Sequence, residues 1–313
     1  MAAYISFQPR DQFSATIQTG NASSQAITIR TGFSPSAIWN KRTDGQEPMY
    51  NFFSVMGTGE YQTLYSSAAD TTDAASITSF DANGFTLGNG GWNNSGEVYV
   101  NYCWNGDSTS VPSGGTITPT AANVNVTNGY AMFRYTGNAS AGATIAHGLG
   151  VAPEHIIIKR DASAGWISDT GDGVWDNDFL KRNSYASEGS QNNWNSTAPT
   201  SSVFSLGSDG DVNYSGGYYT AMVWAPVKGY SKFGSFTGNG NANGPFIYTG
   251  FRPKYVEIKR YDGGSCNWGV WDTNANTNNL SNDYMYTDDG GSNNGYIVDG
   301  AYGIDILSNG FKV

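Results

Sequence analysis

Charge is sparse in this chain. Asp, Glu, Lys and Arg make up 13% of its 313 residues, about half of the roughly 25% usual for soluble domains. The charge present leans acidic, with 16 Lys and Arg against 26 Asp and Glu and a formal net charge of −10. Such a surface repels a phosphate backbone, and no basic stripe offsets it, so nucleic-acid binding is not expected. Cysteine is nearly absent. Cys103 and Cys266 fall at non-matching places in the repeats described below, whereas a disulfide framework would recur with them, so two unpaired thiols are expected. No apolar run reaches the length of a membrane span, and Met1 to Arg10 lacks a basic stretch leading into an apolar one. Neither membrane insertion nor a Sec-type signal at this start is expected, which points to release by cell lysis. Amphipathic helical period nowhere outlasts two turns.

Glycine (41 residues), small polar residues and aromatics (14%, with 20 Tyr and 9 Trp) fill the chain instead. Short strands and tight turns suit that mixture, so the composition reads all-β. The same phrase is written three times. Thr19-Gly20-Asn21, Thr136-Gly137-Asn138 and Thr237-Gly238-Asn239 each precede a Gly-x-x-Pro element, at Gly32 to Pro35, Gly150 to Pro153 and Gly250 to Pro253. An apolar strand follows and ends on Lys41-Arg42, Lys159-Arg160 or Lys259-Arg260, always nine residues after the glycine. Periods of 118 and 100 residues between basic pairs exceed the roughly 20–50 residues of a solenoid or propeller unit and suit separate small domains.

Each repeat then crosses a variable Gly/Asn/Asp-rich stretch to a second marker, Asn83-Gly84-Phe85, Val203-Phe204 or Asn309-Gly310-Phe311. Repeats one and two close with aromatic strands ending at Trp104 and Trp224; repeat three reaches Val313 without that strand. The predicted architecture is three tandem β-sandwich-like (jelly-roll-like) domains. They comprise residues 1–104 with a leader, a flexible linker at 105–128 rich in Ser, Gly, Thr and Pro, residues 129–228, and residues 229–313 lacking the last strand. The short second connection predicts a fixed relation between domains two and three, with domain one hinged against them. A sheet lacking a strand exposes unpaired N–H and C=O groups. Two explanations stand: the true terminus lies further on, or a donated strand fills the gap, with Tyr4-Ile5-Ser6-Phe7 as the donor.

Several stretches resemble the tandem β-domains of tail-fibre and other virion structural proteins of marine bacteriophages. They include Ala146-His147-Gly148-Leu149-Gly150-Val151-Ala152-Pro153-Glu154, Ala198-Pro199-Thr200-Ser201-Ser202-Val203-Phe204, and the run from Gly229 to Asn239 continued by Gly244-Pro245-Phe246-Ile247-Tyr248-Thr249-Gly250. The resemblance covers all three repeats. It implies a virion, extracellular location, a structural or host-attachment role in a fibre or spike, and partners that are other virion proteins or copies of the chain in a homo-oligomer. It brings no catalytic motif, so no enzyme activity is expected.

The residues offer four candidate sites. Period-two alternation puts Trp39, Ile157 and Glu257 on the outer face of the Pro-led strands. An apolar residue there marks a contact, so Trp39 and Ile157 are interface candidates, while Glu257 is expected to face water. Among loop tryptophans, Trp166 and Trp268 read as core, whereas Trp92 and Trp194 are candidates to stack on a host glycan, the alternative function being a carbohydrate-binding adhesin. Asp209, Asp211 and Asn213 have the oxygen-rich, Gly-containing character of a calcium loop but lack its bidentate Glu; apart from calcium no cofactor is indicated. Asp169, Asp172, Asp176 and Asp178 cluster in one Gly-rich loop, where turn-forming Asp explains them better than paired glycosidase carboxylates. His147 aligns with apolar Ile29 and Ile247, so a structural histidine is expected.

Overall fold

The Thr-Gly-Asn phrase is an Asx turn in all three copies. Asn21, Asn138 and Asn239 each accept, through Oδ1, the backbone N–H two residues on. The intervening Ala22, Ala139 and Gly240 sit at φ of 53°, 59° and 64°, the left-handed region that a short side-chain hydrogen bond makes affordable. A computed structural model describes residues 6–29, 32–184, 186, 189–275, 280–288, 297–298 and 302–313. It is essentially all-β, with several antiparallel sheets.

Repeat one supplies β1 (Phe13–Thr19), β2 (Gln25–Thr28), β3 (Pro35–Arg42), β4 (Tyr50–Phe53), β5 (Glu60–Thr63), β6 (Thr71–Thr72), β7 (Ile77–Asp81), β8 (Gly84–Leu87) and β9 (Val98–Asn105). From there to Trp224 run β10 (Ala121–Asn125), β11 (Tyr130–Thr136), β12 (Ala143–Ala146), β13 (His155–Arg160), β14 (Trp166–Ser168), β15 (Asp178–Lys181), β16 (Gly189–Ser190), β17 (Val203–Leu206), the single turn α1 (Gly210–Asn213) and β18 (Tyr218–Trp224). The last repeat adds β19 (Phe246–Tyr248), β20 (Tyr255–Ile258), β21 (Gly269–Asp272), β22 (Asp283–Tyr286), β23 (Ile297–Val298), β24 (Asp305–Leu307) and β25 (Gly310–Lys312).

Strand order recurs with the sequence. The larger sheets run β1-β9-β3-β4-β5-β6, β10-β11-β18-β13-β14-β15-β16 and β20-β21-β22-β23; the smaller ones run β2-β8-β7, β12-β17 and β19-β25-β24. In each smaller sheet the strand after the Asx turn pairs with the strand carrying the marker Phe, as in Ile27 opposite Phe85, Ile145 opposite Phe204 and Ile247 opposite Phe311. Between larger and smaller sheets lies one apolar cluster per repeat, around Ile38, Phe52 and Phe85, around Ile156, Ile158 and Phe204, and around Val256, Ile306 and Phe311.

The opposite faces of the larger sheets are covered too. Trp39, Tyr102 and Trp104 from repeat one, Ile157, Trp166, Met222 and Trp224 from repeat two, and Val270 and Met285 from repeat three form one common cluster. Alternation predicts half-buried strands, yet β3 is buried from Pro35 to Lys41 and β18 from Tyr219 to Trp224, because both faces of these sheets are packed. This common core also holds repeat one against the others rather than hinged away.

Residues 105–128, expected as a flexible linker, are built into the second repeat. β10 pairs with β11 along its whole length, Ser108 bridges to Val124, and Ile117 bridges to Ile145. Ile117, Ala122 and Val124 enter the inner core of repeat two. Ser- and Gly-rich neighbours dilute that apolar alternation in any compositional window.

Candidate functional site

The three repeats meet around one guanidinium. Arg182, just beyond β15, has a fully buried side chain and pairs with Glu257 of β20. Its planar cation lies 4.3 Å from the ring centre of Trp268 and 5.2 Å from that of Trp39, so repeat two inserts a cation between aromatic rings of repeats three and one. The Tyr255 hydroxyl donates to Glu257 at 3.2 Å and the Thr287 hydroxyl at 3.4 Å. Burial, then the adjacent carboxylate, holds the Tyr255 phenol well above its ordinary pKa. Glu257 is therefore spent on an internal ion pair, not left facing water.

Around this centre the contacts repeat. The indole of Trp166 donates to the Thr63 carbonyl of repeat one at 3.2 Å, and that of Trp268 donates to the Lys181 carbonyl of repeat two at 3.1 Å. Between repeats three and one, the Tyr102 hydroxyl donates to the Asp272 carboxylate and the Asn274 amide to the Ala15 carbonyl. Arg134 bonds Asp70 of repeat one at 3.1 Å and Asp161 of its own repeat at 2.6 Å. Burial pushes the Asp70 carboxyl up to about 6. The buried Lys159 amine donates to the carbonyls of Arg160 and Ala162, and burial lowers its pKa to about 8.

Trp39 and Ile157 both lie in the common core. Trp92 and Trp194, expected as glycan platforms, do not offer a face to solvent: they are 3% and 1% exposed. Trp92 is packed edge-on against Tyr50 and Phe52, and Trp194 against Trp175 while donating to the Asp178 carbonyl. The loops that carry them fold back over the inner cores, so these rings complete hydrophobic packing. Of the loop carboxylates, Asp169 accepts from the N–H groups of Ile156 and Gly171, Asp172 from the Thr170 hydroxyl and the Val174 N–H, and Asp176 from the Asp178 N–H. Asp169 also pairs with His155 at 2.9 Å, whose ring is stacked between Trp224 and Phe233. Buried His147 accepts from the Leu149 N–H at Nδ1, which leaves Nε2 to donate to the Thr200 carbonyl, and burial lowers its pKa.

The calcium-loop candidates do other work. Asp209 caps α1 by accepting from the Asp211 N–H at 2.8 Å, and Asp211 lies 3.7 Å from Lys181. The Asn213 amide donates to the Ser140 and Gly207 carbonyls, and its oxygen accepts from the Asn138 N–H. Asn93 does the same in repeat one, donating to Ser23 and Gly88 and accepting from Asn21. Six residues on, Tyr99 and Tyr219 close the clasp by donating to the carbonyls of Gly91 and Gly210. The signal was present in the sequence as a shared Asn-x-Ser-Gly-x-x-Tyr, at Asn93 to Tyr99 and Asn213 to Tyr219. An Asn213→Ala variant strands two carbonyls and one N–H, and its expected loss is about 2–4 kcal/mol in urea unfolding. The loss should be equal in calcium and in chelator; a loss seen only in calcium restores the ligand reading.

In repeats one and two the clasp leads into β9 and β18, which lie between β1 and β3 and between β11 and β13. By its spacing to the Asx turn, Ser231 to Thr237 is the counterpart of β1 and β11. Phe233 takes the place of Ala15 and Met132 and, like them, packs on the common core. Among the described residues no strand lies between this segment and β20. Both line a groove of about 1890 Å³ instead, with Phe233, Phe236, Tyr255 and Ile258 among its walls.

The chain belongs to the family described as Domain of unknown function (DUF7483), whose profile matches residues 8–313. No curated protein and no solved structure matches it.

Proposed function

We propose that this chain is a non-enzymatic structural protein of a bacteriophage virion, a segment of a fibre or spike that carries host attachment at the particle surface. On this reading its three repeats are tandem β-sandwich-like domains, each a larger sheet faced by a smaller one. One observation carries most of the weight. The only fully buried arginine side chain among the described salt bridges is spent joining three repeats, between Trp39, Glu257 and Trp268. A buried charge so placed contributes specificity of arrangement more than stability, which is what a load-transmitting assembly of modules requires. The resemblance of the Ala146–Glu154 and Gly229–Asn239 runs to phage fibre proteins supplies the particle. Partners are then other virion proteins or further copies of the chain.

Peptide mass spectrometry of purified particles, with antibody labelling in electron micrographs, tests this. The chain should band with intact virions and label a projection. Recovery only from the soluble lysate, with none on particles, would overturn it.

A further inference from the structure

The groove beside β20 has the outline of a strand that two sister sites already contain. In repeat one β9 pairs with β1 on one side and β3 on the other; in repeat two β18 does so with β11 and β13. The walls of the third place are present and correctly oriented. Phe233 packs on the common core, stacked 5.6 Å from His155, and Val256 joins the inner core. The edge strand β20 has β21 on one side and no described partner on the other.

Gly238 carries an independent mark of the same absence. At its counterparts a side chain is impossible: a Cβ on Gly20 would lie 2.1 Å from the Asn94 carbonyl oxygen, and one on Gly137 would lie 2.4 Å from that of Tyr214. Those oxygens belong to the clasp turns that lead into β9 and β18. A Cβ on Gly238 meets nothing within 4 Å. The glycine that admits a clasp stands here where no clasp arrives among the described residues. Phe236 tells the same story on the neighbouring strand position. Its counterpart Tyr135 is 0% exposed and stacks on Tyr219 of β18 at 4.9 Å, whereas Phe236 is 37% exposed.

We propose that this groove is a strand-acceptor site, filled by a polypeptide segment outside residues 1–313 that carries an Asn-x-Ser-Gly-x-x-Tyr turn followed by an extended strand. The strand runs antiparallel to β20, as β9 and β18 do to β3 and β13. Its outer residues continue the common core, where Tyr102 and Trp104 or Met222 and Trp224 sit in the sister sites. Its inner residues are small or aliphatic, as Cys103, Ala221 and Val223 are. Backbone pairing on two sides supplies affinity and the alternating side chains supply selectivity. Residues 1–313 hold that turn and strand twice, at Asn93 to Asn105 and Asn213 to Trp224, and both are seated in their own repeats, so the occupant is a further unit. The inference is independent of the virion reading, since it rests on sheet geometry and is read with purified components.

The probe is a labelled synthetic peptide with the sequence Asn213 to Trp224, titrated against the full chain. Saturable micromolar binding is expected, with hydrogen exchange slowed in residues 231–238 and 255–260. Proline in place of Ala221 in the peptide should abolish binding. Gly238→Val should leave the unfolding midpoint unchanged, since the site is open, yet weaken binding about tenfold or more. No binding, or binding indifferent to both changes, overturns the proposal. A dimer of the chain that the peptide dissolves also overturns it, because a second copy would then be the occupant.

Discussion

Replacing Arg182 by Met is expected to cost about 3–5 kcal/mol, because it leaves the Glu257 carboxylate enclosed without its cation. The side chain of Glu257 is only 14% exposed, so water cannot replace the guanidinium fully. Two aromatic contacts are lost as well, those with Trp39 and Trp268. The double variant Arg182→Met with Glu257→Gln should recover a large part of the loss, since no unpaired charge then remains. Urea midpoints for the two single variants and the double one give the coupling directly. Equal losses in Arg182→Met and the double variant would show that the ion pair is incidental and that only packing matters there. Arg182→Lys should fall between wild type and Met, because an ammonium keeps the charge but cannot lie flat between two rings.

Trp39→Ala should be comparably damaging, at about 3–5 kcal/mol for a large ring removed from a packed core. The Trp39 ring sits 4.8 Å from that of Trp104 and beneath Arg182, so little can collapse into the space. More informative than the size is the reach of the effect. The common core takes side chains from all three repeats, so a calorimetric scan should show one transition lowered by several degrees. Hydrogen exchange should accelerate in β13, β18 and β21 as well as in β3 and β9. Faster exchange confined to residues 13–105, with the remaining transition unmoved, would mean that the repeats unfold separately and that the common core is a weak contact.

Much of the local architecture was legible because it is set by neighbours in sequence. Asn21, Asn138 and Asn239 fold back on the residue two positions later, and the Pro-led strands alternate faces beyond their first residues. Where reading failed, distance in sequence was the cause. Glu257 looked like a water-facing residue because its partner Arg182 lies 75 residues away in a variable loop. Trp92 and Trp194 sat in polar, Gly-rich surroundings that suggested exposure, but tertiary contacts with Phe52 and Trp175 cover them. Asn213 drew attention as a carbonyl oxygen near two aspartates, while its role came from Asn138 and Ser140, on the far side of the repeat. The leader residues Tyr4 and Ile5, offered as a donor strand, lie outside the described residues.

By itself the sequence determined that the chain is all-β, that one plan of turn, strand and basic pair is used three times, and which residues alternate on each strand. Those properties depend on backbone preferences and on interactions over a few positions, which spacing records. Only the tertiary structure decided that the outer sheet faces share one core, that Arg182 joins three repeats, and that the place beside β20 is lined on both sides. Each of these depends on surfaces from different repeats coming together. Apolar packing is non-directional, so a buried Trp39 is written the same way whatever covers it.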